Sequence, residues 1–392
     1  MTREIVLIIA QYPTKDDPVY AFIRPVAQGL ADLGIHMSII APQSITNTIK
    51  RRVKIRPHHW IDYSTGGKSI DIYQPCYFSL SMLKVHDKPI SLVLFRNAIV
   101  KEFNRLKKRP DLVYAHFWES VVAASEALGD GDIPLIAVSG EERVSVFDGF
   151  PKEKVIEAKQ KVKGLICVST KNYEECVGLD LVHSGMKTVI LPNAVNTEVY
   201  YKSDKHEARQ KLNWSNDETI AIYVGEFSKR KGVNRLIEAA KKNPRLKLVL
   251  IGSGDQLIET DQIIYCGRVS HDDIPLYLNA ADFFVLPTLA EGCCNAIVEA
   301  LACGLPIISS DRSFNYDILD GENSILVDPE KIDEIADAMK LLAENTELRE
   351  KLSVGALKKS KELDIETRVK KIKDFLETVV QNDSAKALNN KE

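Results

Sequence analysis

The chain of 392 residues is short of most features that would assign it to a special class. Its seven cysteines are an odd number, and none stands at a spacing that suggests pairing. That usage predicts reduced thiols and a cytoplasmic protein rather than a disulfide scaffold. No group of Cys and His has metal-ligand spacing. No apolar run approaches the ~18 residues of a membrane-spanning helix. The chain opens directly on a strand pattern, so no signal peptide is expected. A net charge of −3 gives no reason to expect a nucleic-acid partner. What remains is an ordinary globular composition, with length enough for two or three domains that each bury a core.

The charge is nonetheless unevenly spread. Residues 1–195 carry 25 basic and 21 acidic side chains, and the rest carry 27 and 34. The stretch from Leu286 to Asp311, LPTLAEGCCNAIVEALACGLPIISSD, organises the acidic half. An apolar run, Ala281 to Pro287, has strand length and ends on proline. Asn295 to Ala302 reads as a short helix with Asn295 near its N-cap, Gly304 as its C′ residue and Pro306 blocking extension. Leu305 to Ser310 is the next strand. Strand, loop, helix and strand make a unit of a parallel sheet, and ligands bind outside the strand C-termini, where the turn Glu291-Gly292-Cys293-Cys294 falls. Free N–H groups at the helix start attract anions or hydroxyl oxygens. Glu291 and Glu299 stand as two carboxylates beside that point. They fit two anchors on one elongated ligand, and equally a solvated loop Glu and a capping Glu.

Glu291, Glu299 and the following Ala-Leu-Ala-Cys-Gly-Leu-Pro-Ile-Ile resemble the signature of the family 4 retaining glycosyltransferases. The Glu-Gly-x-x-Asn form is most similar to the branch that builds bacterial surface polysaccharides such as teichuronic acid. The resemblance extends from Gln11 to about Lys371. It implies an α/β GT-B fold, two Rossmann-like domains facing each other across a cleft, with a C-terminal helix crossing back to the first. The expected divisions are residues 1–195, the acceptor side; 196–365, the nucleotide-sugar donor side; 366–380, the crossover helix; and 381–392, a polar tail.

The first half reads as alternating strands and helices. Glu4 to Ala10, His36 to Ala41, Pro110 to His116, Pro134 to Gly140, Gly164 to Ser169 and Thr188 to Asn193 are its strands. By resemblance, the loop with Tyr20 and Ala21, the strand end at His116, and Ser139 (where relatives carry histidine) line the acceptor side. Lys50, Arg51, Arg52, Lys54 and Arg56 form a basic cluster. It suits an anionic membrane face or a phosphate-bearing acceptor, and also a strand with one solvated basic face.

The second half opens on Thr219 to Val224, then Gly225-Glu226-Phe227-Ser228-Lys229-Arg230-Lys231-Gly232, then a helix from Val233. A strand, a glycine turn and basic residues before a helix make a sensible phosphate site. Gly225, Glu226, Arg230 and Lys231 are its candidates, with Glu226 where relatives have arginine. Either Arg230 supplies that charge or Glu226 orients Lys231. Gly252-Ser253-Gly254 is a weak dinucleotide signal. The resemblance places the nucleotide base at Arg268 and Val269, the ribose on Glu299 and the diphosphate on Lys231. The sugar falls on Glu291, Gly292, Cys293, Cys294 and Asn295. His116, Glu291 and Lys231 are the expected catalytic residues.

The activity implied is a retaining hexosyl transfer from a nucleoside-diphosphate sugar, of UDP or GDP type, to a saccharide or lipid-linked saccharide. It needs no cofactor and no metal. A sugar-nucleotide epimerase of the same fold and a non-catalytic sugar-nucleotide binder remain as alternatives.

Overall fold

A computed structural model of the chain describes residues 3–14, 17, 19–79, 84–85 and 88–389, with the side chains of 84, 85, 88 and 382–389 left aside. The chain forms two compact units. One is Met1–Leu191 together with Arg368–Glu392, and the other is Pro192–Thr367.

The division falls four residues before the expected one, for a visible reason. Leu191 N–H still bonds Cys167 of the first sheet, whereas Val195 exchanges backbone hydrogen bonds with Leu363 and Ile365. The final helix, Ile365–Asn389, runs through most of the segment expected as a polar tail, and residues 390–392 lie outside the described ones. From Arg368 onward it belongs to the first unit, burying Val369, Ile372, Leu376 and Val379 at helical spacing.

Among the described residues the first unit holds a sheet in the spatial order Lys187–Ile190, Val162–Cys167, Leu135–Ser139, Leu112–His116, Glu4–Ile8, His36–Ile40, Ser69–Tyr73, His59–Tyr63. Every neighbouring pair is parallel except the last. Central strands such as LVYAH and LIAVS are buried at every position, as expected of a parallel sheet covered on both faces. The order reverses between Glu4–Ile8 and Leu112–His116, so the loop after the first strand and the residues after His116 flank the crevice where such sheets bind ligands.

The second unit repeats the plan with Ile263–Gly267, Leu246–Ile251, Thr219–Val224, Phe283–Leu286, Ile307–Ser310 and Ser324–Val327, all parallel. Its reversal lies between Thr219–Val224 and Phe283–Leu286. That places the turns after Val224 and after Leu286 side by side.

Candidate active site

In the second unit the two turns meet through charge. Lys231 Nζ donates to Glu291 Oε1 at 2.5 Å, and both side chains are largely buried. Thr288 Oγ1 donates to the same oxygen at 2.9 Å. Arg230 reaches Glu291 at 3.3 Å and the Ala290 carbonyl at 2.9 Å. Burial works against the Lys231 charge. Cys294 is a thiol at neutral pH, its pKa pushed up to about 11 by burial, so Glu291 is the partner that holds the ammonium above its ordinary range.

The helix Asn295–Ala302 starts beside this pair. Its N-cap is Cys294, and Asn295 is the first helical residue rather than the cap. Cys294 offers only sulfur, a weak acceptor, to the N–H groups of Ala296 and Ile297. The helix start therefore keeps its pull on an anion. Gly304, at φ +73°, ends the helix as the C′ residue. The loop before the helix is pinned by Asn193, whose Nδ2 donates to the Cys293 carbonyl (3.0 Å) and Asn295 Oδ1 (2.8 Å).

Glu299 sits one turn along the helix. Burial pushes its pKa up to about 8, so the carboxyl is mostly protonated at neutral pH. His271 Nε2 approaches it at 3.7 Å. Burial lowers the His271 pKa despite Asp272 nearby, so the two face each other as neutral groups rather than as an ion pair. Tyr200 Oη lies 3.2 Å from His271 Nδ1 and supports the ring from behind.

Glu226 does not orient Lys231. Its carboxylate is exposed and comes only within 3.8 Å of Arg230. The glycine pair after Leu246–Ile251 welds two turns together. Gly252 has φ +153° and Gly254 φ +151°. A Cβ on either would stand 1.8 Å from Gly225 O or 2.1 Å from Phe227 O. Phe227 N–H donates to the Ser253 carbonyl at 2.9 Å across the same contact. The phosphate turn is thereby fixed to its neighbour. Arg268, exposed, donates through Nε to Ser253 Oγ at 2.7 Å and extends that web, with Val269 half-buried beside it.

In the first unit His116 ends its strand fully buried, and neither ring nitrogen has a hydrogen-bond partner. Phe22, Tyr114 and Phe117 surround it at ring-centroid distances of 5.8, 5.2 and 5.8 Å. Burial first, and then the Arg368 charge, push its pKa down to about 3, so the imidazole is neutral. Two non-glycine residues with positive φ, Tyr20 (59°) and Phe117 (71°), stack on each other beside it at 5.6 Å. Backbone strain of this kind persists where the surroundings over-determine it, and it clusters at functional sites. Ala21 lies half-buried in the same loop.

Ser139 is fully buried and donates its hydroxyl to Glu141 Oε2 at 2.8 Å, so it organises the strand end and offers no surface. Glu141 also accepts from Trp118 N–H and Gly140 N–H, and burial raises its pKa to about 7.

The basic cluster is no strand. Helix Ile45–Lys50 ends at Arg51, and a turn and an irregular segment lead to His59. Arg51 and Arg56 are committed to the buried carboxylate of Asp17, and Arg56 also donates to the Tyr12 carbonyl at 2.7 Å. The triplet Asp130-Gly131-Asp132 is exposed and precedes the strand Leu135–Ser139, at the end of the sheet away from the site.

Sequence reasoning missed His271, Tyr200, Asn193, Thr288 and Asp17. His271 stands two residues after Val269, the base-binding candidate, and that proximity was its available signal.

Comparison with known proteins sets this geometry in a class. Residues 204–359 match the model of a family described as glycosyl transferases group 1. Sucrose-phosphate synthase from Thermosynechococcus elongatus superposes with a TM-score of 0.77 at 19% identity, over 97% of this chain and 100% of that one. Anabaena Alr3699/HepE in complex with UDP-glucose gives 0.68 at 16%, over 96% and 100%. The fold is GT-B, as the resemblance implied.

Sequence relatives narrow the class. The Bacillus subtilis protein named "Putative teichuronic acid biosynthesis glycosyltransferase TuaC" is 26% identical over 86% of this chain and 88% of its own. The Escherichia coli UDP-Gal:alpha-D-GlcNAc-diphosphoundecaprenol alpha-1,3-galactosyltransferase is 27% identical over 75% and 82%. The stretch that matches the group 1 glycosyltransferase model lies wholly within the second unit.

Proposed function

We propose that the chain transfers a hexosyl unit, with retention, from a uridine-diphosphate sugar to a lipid-linked saccharide in surface-polysaccharide synthesis. The observation that carries this reading is the buried Lys231–Glu291 pair at the start of the helix bearing Glu299. Without ligand, Glu291 neutralises Lys231. An incoming diphosphate takes over the ammonium together with the helix N–H groups, and this frees the Glu291 carboxylate to accept sugar hydroxyls. Glu299 and His271 then meet the ribose.

When the glycosidic bond breaks, charge grows on the diphosphate, and Lys231 with the helix start stabilises it in place. The acceptor hydroxyl attacks the anomeric carbon from the face the diphosphate leaves, the bond to the diphosphate oxygen breaks, and the hydroxyl proton passes to that departing oxygen. The fixed ammonium supplies the charge that a metal ion would otherwise supply. The names of the two relatives, teichuronic acid synthesis and a diphosphoundecaprenol acceptor, support the acceptor class.

Acceptor-dependent release of UDP in the presence of chelator tests the reading. Release without acceptor, or epimerisation of the donor, overturns it. The two glutamates should also separate. Glu291→Gln is expected to leave bare UDP affinity within about threefold while turnover falls steeply, because the carboxylate acts on the sugar. Equal loss of UDP affinity in Glu291→Gln and Glu299→Gln would show that this division of roles is mistaken.

A further inference from the structure

The first unit contains a cavity of about 520 Å³ that the donor chemistry does not use. Lys50, Arg51, Lys54 and Arg56 line it, with Asp17 as the acidic side chain among its walls. The arginines share that one carboxylate, while Lys50 and Lys54 make no ion pair among the described residues. Among the described residues the wall therefore carries an excess of about three positive charges in a concave space, where low-dielectric surroundings focus the field. Polar side chains from Gln11, Gln43, Ser44, Asn47 and Thr48 complete the lining. The end of helix Ile45–Lys50 accounts for Lys50 as a helix-dipole complement. It does not account for Lys54 and Arg56, which lie beyond the helix.

Tyr20 ties this cavity to the crevice of the first sheet. It lines the cavity, and its ring stacks at 5.6 Å on Phe117, the residue after His116. The way from the cationic wall to His116 is thus two aromatic contacts long.

We propose that this cavity binds a phosphate or diphosphate carried by the acceptor, one or two sugar rings from the hydroxyl that is glycosylated. This rests on the proposed transferase reading and deepens it. The protein would then hold two phosphate sites, one on Lys231 for the leaving diphosphate and one in the first unit for the acceptor. The placing of the arginines supports it: Arg51 and the half-buried Arg56 both lean on the single carboxylate of Asp17, so two guanidinium groups share one acid at the cavity wall.

Inorganic pyrophosphate is the probe, titrated calorimetrically into the full chain with the donor site filled by UDP. Lys50→Gln with Lys54→Gln is the test variant. Neither lysine has an ion-pair partner among the described residues, so the fold should hold, and unchanged UDP affinity and melting temperature would confirm that. Arg56→Gln would loosen the Asp17 web and is avoided. Pyrophosphate should bind the wild type with UDP present and bind the double variant at least tenfold more weakly. Lys231→Ala without UDP should retain the site. Abolition of pyrophosphate binding by UDP, or equal binding to the double variant, overturns the proposal.

Vesicles distinguish the source of the phosphate. Displacement of pyrophosphate by phosphatidylglycerol vesicles but not by phosphatidylcholine ones assigns it to lipid. Displacement by a soluble sugar phosphate alone assigns it to the saccharide. If UDP fails to bind at all, the donor reading falls, while the titration without UDP still decides the cavity.

Discussion

The two units share a sheet plan and place their loops at the same topological point, yet they treat charge in opposite ways. In the second unit the buried charges between the two turns are answered: Lys231 by Glu291, Glu291 by Thr288 and Arg230 as well. In the first, the corresponding crevice holds a neutral histidine whose ring has no hydrogen-bond partner among the described residues, and a cavity whose described lining has four cations to one acid. A ligand entering the second unit exchanges one partner for another, whereas one entering the first supplies a partner that is missing. The half matched by the family model is the balanced one.

The largest expected effect breaks the balanced half. Lys231→Ala removes a charge-assisted contact to diphosphate worth about 1.5–3 kcal/mol, so UDP affinity should fall by about one to two orders of magnitude. Calorimetric titration reads it directly. An unchanged affinity would show that the pair is structural and that the diphosphate lies elsewhere, and the contrast between the units would then vanish.

Next in size is the pH response of the same half. Glu299 has a pKa of about 8 in the folded chain against 4.5 as its ordinary value. If both ribose hydroxyls donate to it, only the carboxylate binds well. UDP affinity should rise about tenfold between pH 7 and pH 9, and Glu299→Gln should flatten the curve. Stability runs the other way. A carboxyl with a raised folded pKa contributes stability that is complete below its unfolded pKa and is lost as pH rises through about 8. The wild-type melting temperature should therefore drop between pH 7 and 9 more than that of Glu299→Gln. Parallel curves for the two proteins would remove Glu299 from the ribose role. Glu141, with a pKa of about 7, titrates in both proteins alike and cancels in the comparison.

How much of this was legible in the sequence follows the same division. Thr219–Val224 and Asn295–Ala302 match the sequence reading residue for residue, because apolar runs bounded by glycine and proline specify buried parallel strands and short crossover helices. Lys231 and Glu299 were identified by motif, but their protonation and the Lys231–Glu291 contact depend on burial, which one sequence does not display. The glycines at 252 and 254 answer a steric requirement against the backbone of Gly225 and Phe227, and a requirement set that far along the chain leaves no local pattern. The segment Lys50 to Trp60 was weighed as a strand with a basic face. Its arginines instead turn inward to Asp17, a carboxylate more than thirty residues upstream that nothing near the cluster announces.

The smallest expected effect sharpens the unbalanced half, by separating its surface from its cavity. Arg52 is exposed, has no ion-pair partner among the described residues, and does not line the cavity. Around it stand Ile49 and Ile55, 64% and 52% exposed. Phe78, 56% exposed, is brought to the same helix because Ser79 and Thr46 exchange hydrogen bonds of 2.7 and 2.8 Å. Apolar side chains interleaved with unpaired cations suit the headgroup region of an anionic membrane, where each cation contributes about 1 kcal/mol within a Debye length. With Arg51 and Arg56 committed to Asp17, Lys50, Arg52 and Lys54 remain for such a contact, which is then weak, reversible and salt-sensitive. Arg52→Gln should weaken binding to phosphatidylglycerol vesicles about fivefold at low salt and leave pyrophosphate binding as it was. Flotation with and without added salt measures the first, and the calorimetric titration the second. If Arg52→Gln lowers both together, surface and cavity are one site, and the cations of the first unit serve the acceptor's phosphate alone. If it lowers neither, Arg52 is ordinary solvated surface, and the charge excess of this unit resides in the cavity wall.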